Sequence, residues 1–356
     1  MSLPQDFSLL GQEVYVPAFK IQTENGPLDA PLLKAITSVS VDLLTNQPCS
    51  FTLQVNDPKF VLIDAAQGVF AEGRYLEIFM GYSKATQSMI QGEITAIGVS
   101  LDEGGGLTLH IEGFDKLHAG TRGTGYREFR DGQTDSDIVR EIATDMQLTA
   151  SVDPTEQRQG RRIQNNVSNL EYIIHLAEIN HFSFWVEGNT LMFKKDHKGK
   201  KVRVTRSGNL ISFSSRLSTS GQTSAIEVRS WDAAQKKVIS ARAITAQTQT
   251  NATKLSRTGQ TQIKGLGSTR SERIIYADGE IRSVAEAQAK ADAELAKQRR
   301  ALLSIQGSVI GNPDIRAGSI LVLEKMGRFD GEYSVETAHH DISQSGYHTS
   351  FSAKHI

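Results

Sequence analysis

Few residues in this sequence have the type and spacing for chemistry, and each has a plainer structural reading beside it. Cys49 is the single cysteine. A nucleophilic thiolate needs a base or a cation close by, and none lies near it in sequence. It follows Pro48 and precedes the alternating run Phe51-Thr52-Leu53-Gln54-Val55, so a small half-buried packing residue is expected. A lone cysteine also excludes an intramolecular disulfide and any multi-cysteine zinc site. His339-His340 is an adjacent pair. On a strand, neighbours point to opposite faces, so the two rings cannot close on one metal, and surface or core histidines are expected. Asp135 and Asp137 resemble an acid–base pair, but they sit at a helix start, where capping and the helix dipole account for acids. Glu171, Glu178 and Glu187 are the carboxylates that a hydrolytic site without a known motif would use, and each also reads as a capping or surface acid.

The recognised motifs are missing. There is no Walker-type phosphate loop, no HExxH, no GxSxG and no CxxC pair. Gly104-Gly105-Gly106 lies between strands, and neither it nor Gly265-Leu266-Gly267 opens a helix that could hold a phosphate. No acid, base and nucleophile converge, so no catalytic, cofactor or metal residue is assigned. Lys plus Arg (39) nearly cancels Asp plus Glu (40), leaving no net field to draw the chain to nucleic acid or an anionic membrane. The basic turn Lys194 to Lys201 reads as a solvated hairpin end, and Arg299-Arg300 as cations offsetting a helix dipole. Met1 to Leu10 lacks the basic head and apolar run of a signal peptide, so the Asn166-Val167-Ser168 sequon carries no weight. No stretch approaches the roughly 20 apolar residues of a membrane span. A chain made in the cytoplasm and exported, if at all, within a larger particle is expected.

The elements that would position these residues are mostly strands. Ser38 to Leu43, Ser50 to Val55, Tyr75 to Met80, Ser88 to Ser100 and Leu107 to Glu112 alternate polar and apolar residues, the period of a strand with one buried face. Asn56-Asp57-Pro58 and Glu103 to Gly106 are turns. The texture changes at Thr134-Asp135-Ser136-Asp137, a helix start with Thr134 or Asp135 as N-cap, followed by Ile138, Ile142 and Met146. Ser168 and Glu171 fit a capping box for a second helix ending at Asn180. Phe182 to Glu187, Gly188-Asn189 and Thr190 to Phe193 then form a hairpin.

Strands resume at Val202 to Val204, Ile211 to Phe213 and Ile226 to Arg229. Residues 245–272 are Thr-, Gln-, Ser- and Gly-rich without apolar period and read as a long loop. A helix over 283–300 follows, and five strands are expected at Ser304–Val309, Ser319–Glu324, Gly331–Ala338, His340–Gln344 and His348–Ser352. The fold class is mainly β with an α+β insert. Residues 1–120 form a first β domain, 121–200 a small α+β domain, and 201–356 a second β domain carrying the loop and helix.

Order along the whole chain carries a resemblance. The stretch Asn165 to Phe193 contains Ser168-Asn169-Leu170-Glu171-Tyr172-Ile173, Leu176-Ala177-Glu178, an aromatic strand and Leu191-Met192-Phe193. It resembles the central signature of the phage late control D family, baseplate hub proteins related to the N-terminal part of VgrG spike proteins. Phe51 to Pro58, Gln91-Gly92-Glu93-Ile94, Leu109 to Asp115, Phe329 to Val335 and Tyr347 to Phe351 agree with it. The resemblance implies two tail-tube-like β-barrels in tandem with a small α+β domain. It further implies a homotrimer whose pseudo-sixfold ring joins a hexameric tail tube to a trimeric spike, among other baseplate proteins, in a virion tail or extracellular injection particle. The chain ends after its second β domain, so the spike is expected to be a separate protein. Neither enzymatic activity, a cofactor, nucleic-acid binding nor stable membrane insertion is implied. Two other classes compete: a tail-associated cell-wall hydrolase using Glu171, Glu178 and Glu187, and a carbohydrate- or receptor-binding module using Trp185 and Trp231. Both tryptophans lie beside alternating strand residues, which favours core packing for each.

Overall fold

The computed structural model of the chain describes residues 16–57, 62, 68–83, 85–101, 106–130, 132–155, 162–195, 199–218, 223–232, 235–244, 272–277, 281 and 283–356. The glycine turn at 103–105, nearly all of the polar stretch 245–272, the glycines at 265 and 267 and the middle of the basic turn at 196–198 lie outside them.

Alternation in the first third does produce strands. β1 (Pro17–Thr23) and the two-residue β2 (Gly26–Pro27) precede a short helix, α1 (Ala30–Ala35). Then come β3 (Ile36–Leu44), β4 (Ser50–Asn56), β5 (Tyr75–Tyr82), β6 (Ala85–Leu101) and β7 (Leu107–Asp115). Val39, Val41 and Leu43 of β3 and Phe51, Leu53 and Val55 of β4 are buried, while the residues between them face away. Cys49 is wholly buried rather than half-buried, its N–H donating to Asp115 Oδ2 at 3.1 Å. Phe51 needs the glycine opposite it, because a Cβ on Gly113 would lie 2.2 Å from its Cζ.

The middle segment holds β8 (Gly125–Phe129), α2 (Asp135–Asp145), β9 (Thr149–Val152), β10 (Arg162–Val167), α3 (Asn169–Asn180), β11 (Ser183–Glu187) and β12 (Thr190–Lys194). Thr134 with Asp137 and Ser168 with Glu171 both form full capping boxes, and His181 in the left-handed region (φ 56°) ends α3. Ile138, Ile142, Ile173 and Leu176 from the helices meet Phe184, Leu191 and Phe193 from the sheet in a core of their own. Asp135 does more than sit at a helix start. It is 1% exposed and held by Arg162 Nε at 3.0 Å and Asn180 Nδ2 at 2.8 Å. β11 joins two cores by the period of a strand: Phe184 enters the middle core, and Trp185 enters the large one over Gly318.

The last segment contains β13 (Lys201–Thr205), β14 (Leu210–Leu217), β15 (Ala225–Asp232), β16 (Lys237–Ile244), β17 (Glu272–Tyr276), α4 (Val284–Ala301), β18 (Leu303–Ile310), β19 (Ile320–Glu324), β20 (Gly331–Ser343) and β21 (Gly346–His355). The two strands expected at Gly331–Ala338 and His340–Gln344 are one continuous strand with a bulge between Val335 and Thr337. The bulge divides one edge of β20 between two partners. Before it, Gly331 to Ser334 pair with β19; after it, Thr337 to Ile342 pair with β3.

That last pairing makes one sheet of the two β segments, in the order β14-β18-β21-β20-β3-β4-β7-β6-β5-β1-β2, with β13 and β19 branching at β20. A single apolar core lies along it, from Ile21 and Val39 to Val335 and Phe351. Apart from it stands a small sheet, β16-β15-β17, one face covered by α4 through Ala287, Ala291 and Leu295. Two partners of the buried Asp135 are lost together when its carboxylate is removed, whereas Ser168 gives up one cap. Asp135→Ala is therefore expected to cost about 3–5 kcal/mol and Ser168→Ala about 1 kcal/mol, read from urea unfolding of the helical unit.

Candidate functional site: a hydroxyl-rich sheet face

The residues between the core positions of the long sheet point away from the core, and they are mostly short and hydroxylated. Strand pairing aligns them in rows. One row runs Ser212, Ser308, Ser350, His339, Asp42 and Ser50 across six strands, from β14 to β4. A second runs His348, Asp341, Ser40, Thr52 and Glu112. A third runs Gln306, Ser352, Thr337 and Leu44. From β14 to β6 this face crosses eight strands, roughly 34 Å at about 4.8 Å per strand. A shallow groove of about 630 Å³ lies over the β14–β3 end, its floor including Phe213, Gly307 and Phe351.

Some polar groups of the face bond one another across neighbouring strands. Ser212 and Ser308 share a hydroxyl–hydroxyl hydrogen bond of 2.7 Å, and Ser38 and Ser40 donate to Asp341 Oδ1 at 3.3 and 2.9 Å. His339 Nδ1 lies 2.7 Å from Asp42 Oδ1, a bond across the β3–β20 junction. That hydrogen bond and the Asp42 and Asp341 charges hold the His339 imidazole above its ordinary range, against its partial burial. Asp42, His339 and Ser350 are the three residue types of a nucleophilic triad, side by side. The ring is nearly half exposed, however, and no hydrogen bond joins the Ser350 hydroxyl to it. Sequence reasoning weighed His339 only as a metal ligand. Its carboxylate partner lies 297 residues away, and only the β3–β20 register reveals it.

His340 points the other way, as strand geometry requires, and is fully buried. Its Nε2 lies 2.9 Å from the Ile315 carbonyl, which can only accept, so Nε2 carries the proton. Nδ1 is then the acceptor, with the hydroxyls of Tyr347 and Thr349 each 3.0 Å away. Burial pushes this imidazole down to about 3.

The other candidates stay dispersed. Glu171 closes the Ser168 cap, Glu178 lies two turns further along α3, and Glu187 accepts from the Trp185 indole N–H at 2.8 Å. Three of the four described lysines of the basic turn are paired: Lys194 with Asp153 at 3.1 Å, Lys200 with Asp314 at 2.7 Å and Lys201 with Glu332 at 2.5 Å. Trp185 is buried as expected, whereas Trp231 is 53% exposed, which overturns its core assignment. Its strand packs on α4 through Ile226 and Val228, whose parity is opposite to that of Trp231. Among the described residues no three His, Cys, Asp or Glu side chains are grouped to hold a metal, and no helix is long and apolar enough to cross a membrane.

This mainly β fold, with its large antiparallel sheet and small helical insert, matches folds of phage tail and type VI secretion proteins. The chain is similar to the 43 kDa tail protein of prophage MuSo2 from Shewanella oneidensis, with TM-score 0.70 and 14% identity, covering 95% of this chain and 98% of that one. A tail protein from Neisseria meningitidis aligns with TM-score 0.67 and 13% identity, over 96% and 97%. An E. coli protein aligns with TM-score 0.60 and 10% identity, over 95% and 77%. It is described as a type VI secretion component with structural similarity to the bacteriophage T4 tail proteins gp27 and gp5. At these identities the likeness is one of fold. A family model described as the Alg8 N-terminal domain matches residues 16–344, and the chain belongs to that family. A search of curated proteins found no match.

The buried neutral His340 sets a pH dependence. Its folded value lies below the ordinary value of 6.5, so the unfolded chain binds the extra proton. The stability it contributes is complete above about pH 6.5 and is lost as pH falls toward 3, at up to about 1.4 kcal/mol per pH unit. Unfolding free energies measured between pH 6 and 4 are expected to fall less steeply in His340→Gln, by close to one proton.

Proposed function

We propose that this chain is a structural hub subunit, of the late control D type, in the baseplate of a contractile phage tail or phage-like injection system. Three copies close into a ring that joins a hexameric tail tube to a trimeric spike. The observation that carries the reading is the long sheet itself, with a core on one face and rows of short hydroxyls on the other. A surface that lines a channel must let a long cargo slide without anchoring it. Short hydroxyls suit that task, because they offer no large apolar anchor and add no charge.

In this reading residues 1–120 and 201–356 each contribute one tube-like barrel, and 121–200 the α+β unit between them. Three chains then present six β units, which reconciles a threefold spike with a sixfold tube. The likeness to tail proteins and a type VI secretion component supports a tail-associated structural role. The partners are the tube protein, a separate spike protein and other baseplate proteins. The chain is made in the bacterial cytoplasm and ends in a virion tail or extracellular particle, binding neither nucleic acid nor membrane. Light scattering on the purified chain, alone and mixed with its tube and spike proteins, tests this. A trimer of 39.0 kDa chains, about 117 kDa, is expected in at least one condition, and a monomer in all of them would refute the reading.

A further inference from the structure

His339 and His340 both lie in the stretch of β20 that pairs with β3, the seam that joins the two β segments. Strand parity puts the two rings in surroundings that favour opposite protonation states. His340 is sealed among neutral groups that fix its tautomer. The Ile315 carbonyl takes its Nε2 proton, and Nδ1 faces the hydroxyls of Tyr347 and Thr349. A second proton would place a charge in the core. The like charges of Arg316, in the loop before β19, and of His339 oppose it, and Asp42 favours it. His339 looks outward, nearly half exposed, with Asp42 Oδ1 2.7 Å from its Nδ1. The titratable groups around it by register are Asp42 on β3, Asp341 on its own strand and His348 on β21, with Ser350 directly opposite. No lysine or arginine shares these positions. A proton on His339 therefore answers two carboxylates, and its loss leaves both on the diagonal of one strand pairing.

We infer that this pair of histidines makes the β3–β20 seam a two-sided proton switch, clasped near neutral pH and loosened by acid on one side and by alkali on the other. Register places the action at the seam: His339 lies opposite Asp42 and His340 opposite Val41, while Asp341 accepts from Ser38 and Ser40 of β3. The Asp42 hydrogen bond, with the Asp42 and Asp341 charges, holds the His339 imidazole above its ordinary value. The folded chain thus keeps that proton more tightly than the unfolded chain. Its contribution is complete below about pH 6.5 and is lost as pH rises through the folded value. His340 does the reverse, its contribution being complete above about pH 6.5 and lost as pH falls. The two limbs meet close to pH 6.5, where the seam is tightest. The device belongs to the single chain, whatever that chain assembles into.

Two mass-spectrometric readings on the full chain test it between pH 5 and 8.5. Exchange of the imidazole C2 hydrogens reports the titration of each histidine separately. His339 is expected to half-titrate above pH 6.5, and lower in Asp42→Asn than in the wild type. Backbone hydrogen exchange of residues 37–44 and 337–342, corrected for the intrinsic rate, reports opening of the seam. The opening constant is expected to be smallest near pH 6.5 and to rise roughly two- to fivefold by pH 8.5, the range for a partly exposed ion pair. That alkaline rise is expected to vanish in both His339→Gln and Asp42→Asn, while the rise below pH 6 persists in them and shrinks in His340→Gln. A wild-type His339 that half-titrates at or below pH 6.5 would overturn the switch. So would an alkaline rise that survives in His339→Gln, or a seam whose opening does not change with pH.

Discussion

The architecture depends on one strand pairing, β3 against β20. Val39 to Leu44 and Thr337 to Ile342 lie about 300 residues apart, yet they exchange main-chain hydrogen bonds over the length of the junction. Without it the two β segments would be separate sheets, each with an exposed edge. With it they share one core and one outer face. The pairing is set by agreement on both faces at once, since a slip of one residue would turn Val39 and Val41 out to water and Ser40 and Asp42 inward. Asp42 with His339, and Ser38 and Ser40 with Asp341, hold the same register from outside. So distant a contact orders late and slowly, because the loop it closes is nearly the whole chain. Tyr82 donating to the Gly311 carbonyl at 2.8 Å, and Arg316 reaching the Ser88 carbonyl at 2.5 Å, stitch the same two segments again through a loop beside β18.

From that junction the division of labour follows. The inward residues make a core large enough to carry the chain, which leaves the outward residues the smaller task of holding register. The bulge at Glu336 lets β20 serve β19 and β3 with one edge, so the branch and the long sheet grow from the same strand. His339 and His340, consecutive in sequence, show the separation at its sharpest. One is half in water beside a carboxylate, and the other is sealed as a neutral donor to a carbonyl. The small sheet departs from this scheme, since its outer face sets Trp231, Val238 and Tyr276 among ion pairs where that of the long sheet carries hydroxyls.

Much of this was legible beforehand. Strands β3 to β7 and the two capping boxes follow from local patterns, because alternation and capping are properties of a few neighbouring residues. Other features were hidden for physical reasons. In β16 the inward positions after Ile239 are Ala241 and Ala243, too small to signal a buried strand. β8 and β10 are two short partners with polar sequences, Gly125–Phe129 and Arg162–Val167. β20 looked like two strands because its bulge breaks the alternation. Trp231 read as core because parity alone does not say which face of a sheet a helix will cover. The hydroxyl face could not be seen at all, since its rows are assembled from strands as far apart as Asp42 and Ser350, and only register brings them into line.

On the proposed reading the hydroxyl-bearing face lines a channel, and electron cryomicroscopy of an assembled particle shows what surrounds its axis. Ser212, Ser308, Ser350, His339 and Asp42 are expected to face the lumen, with the core of each chain behind them. A ring in which these residues face outward, or lie buried between subunits, would contradict that reading.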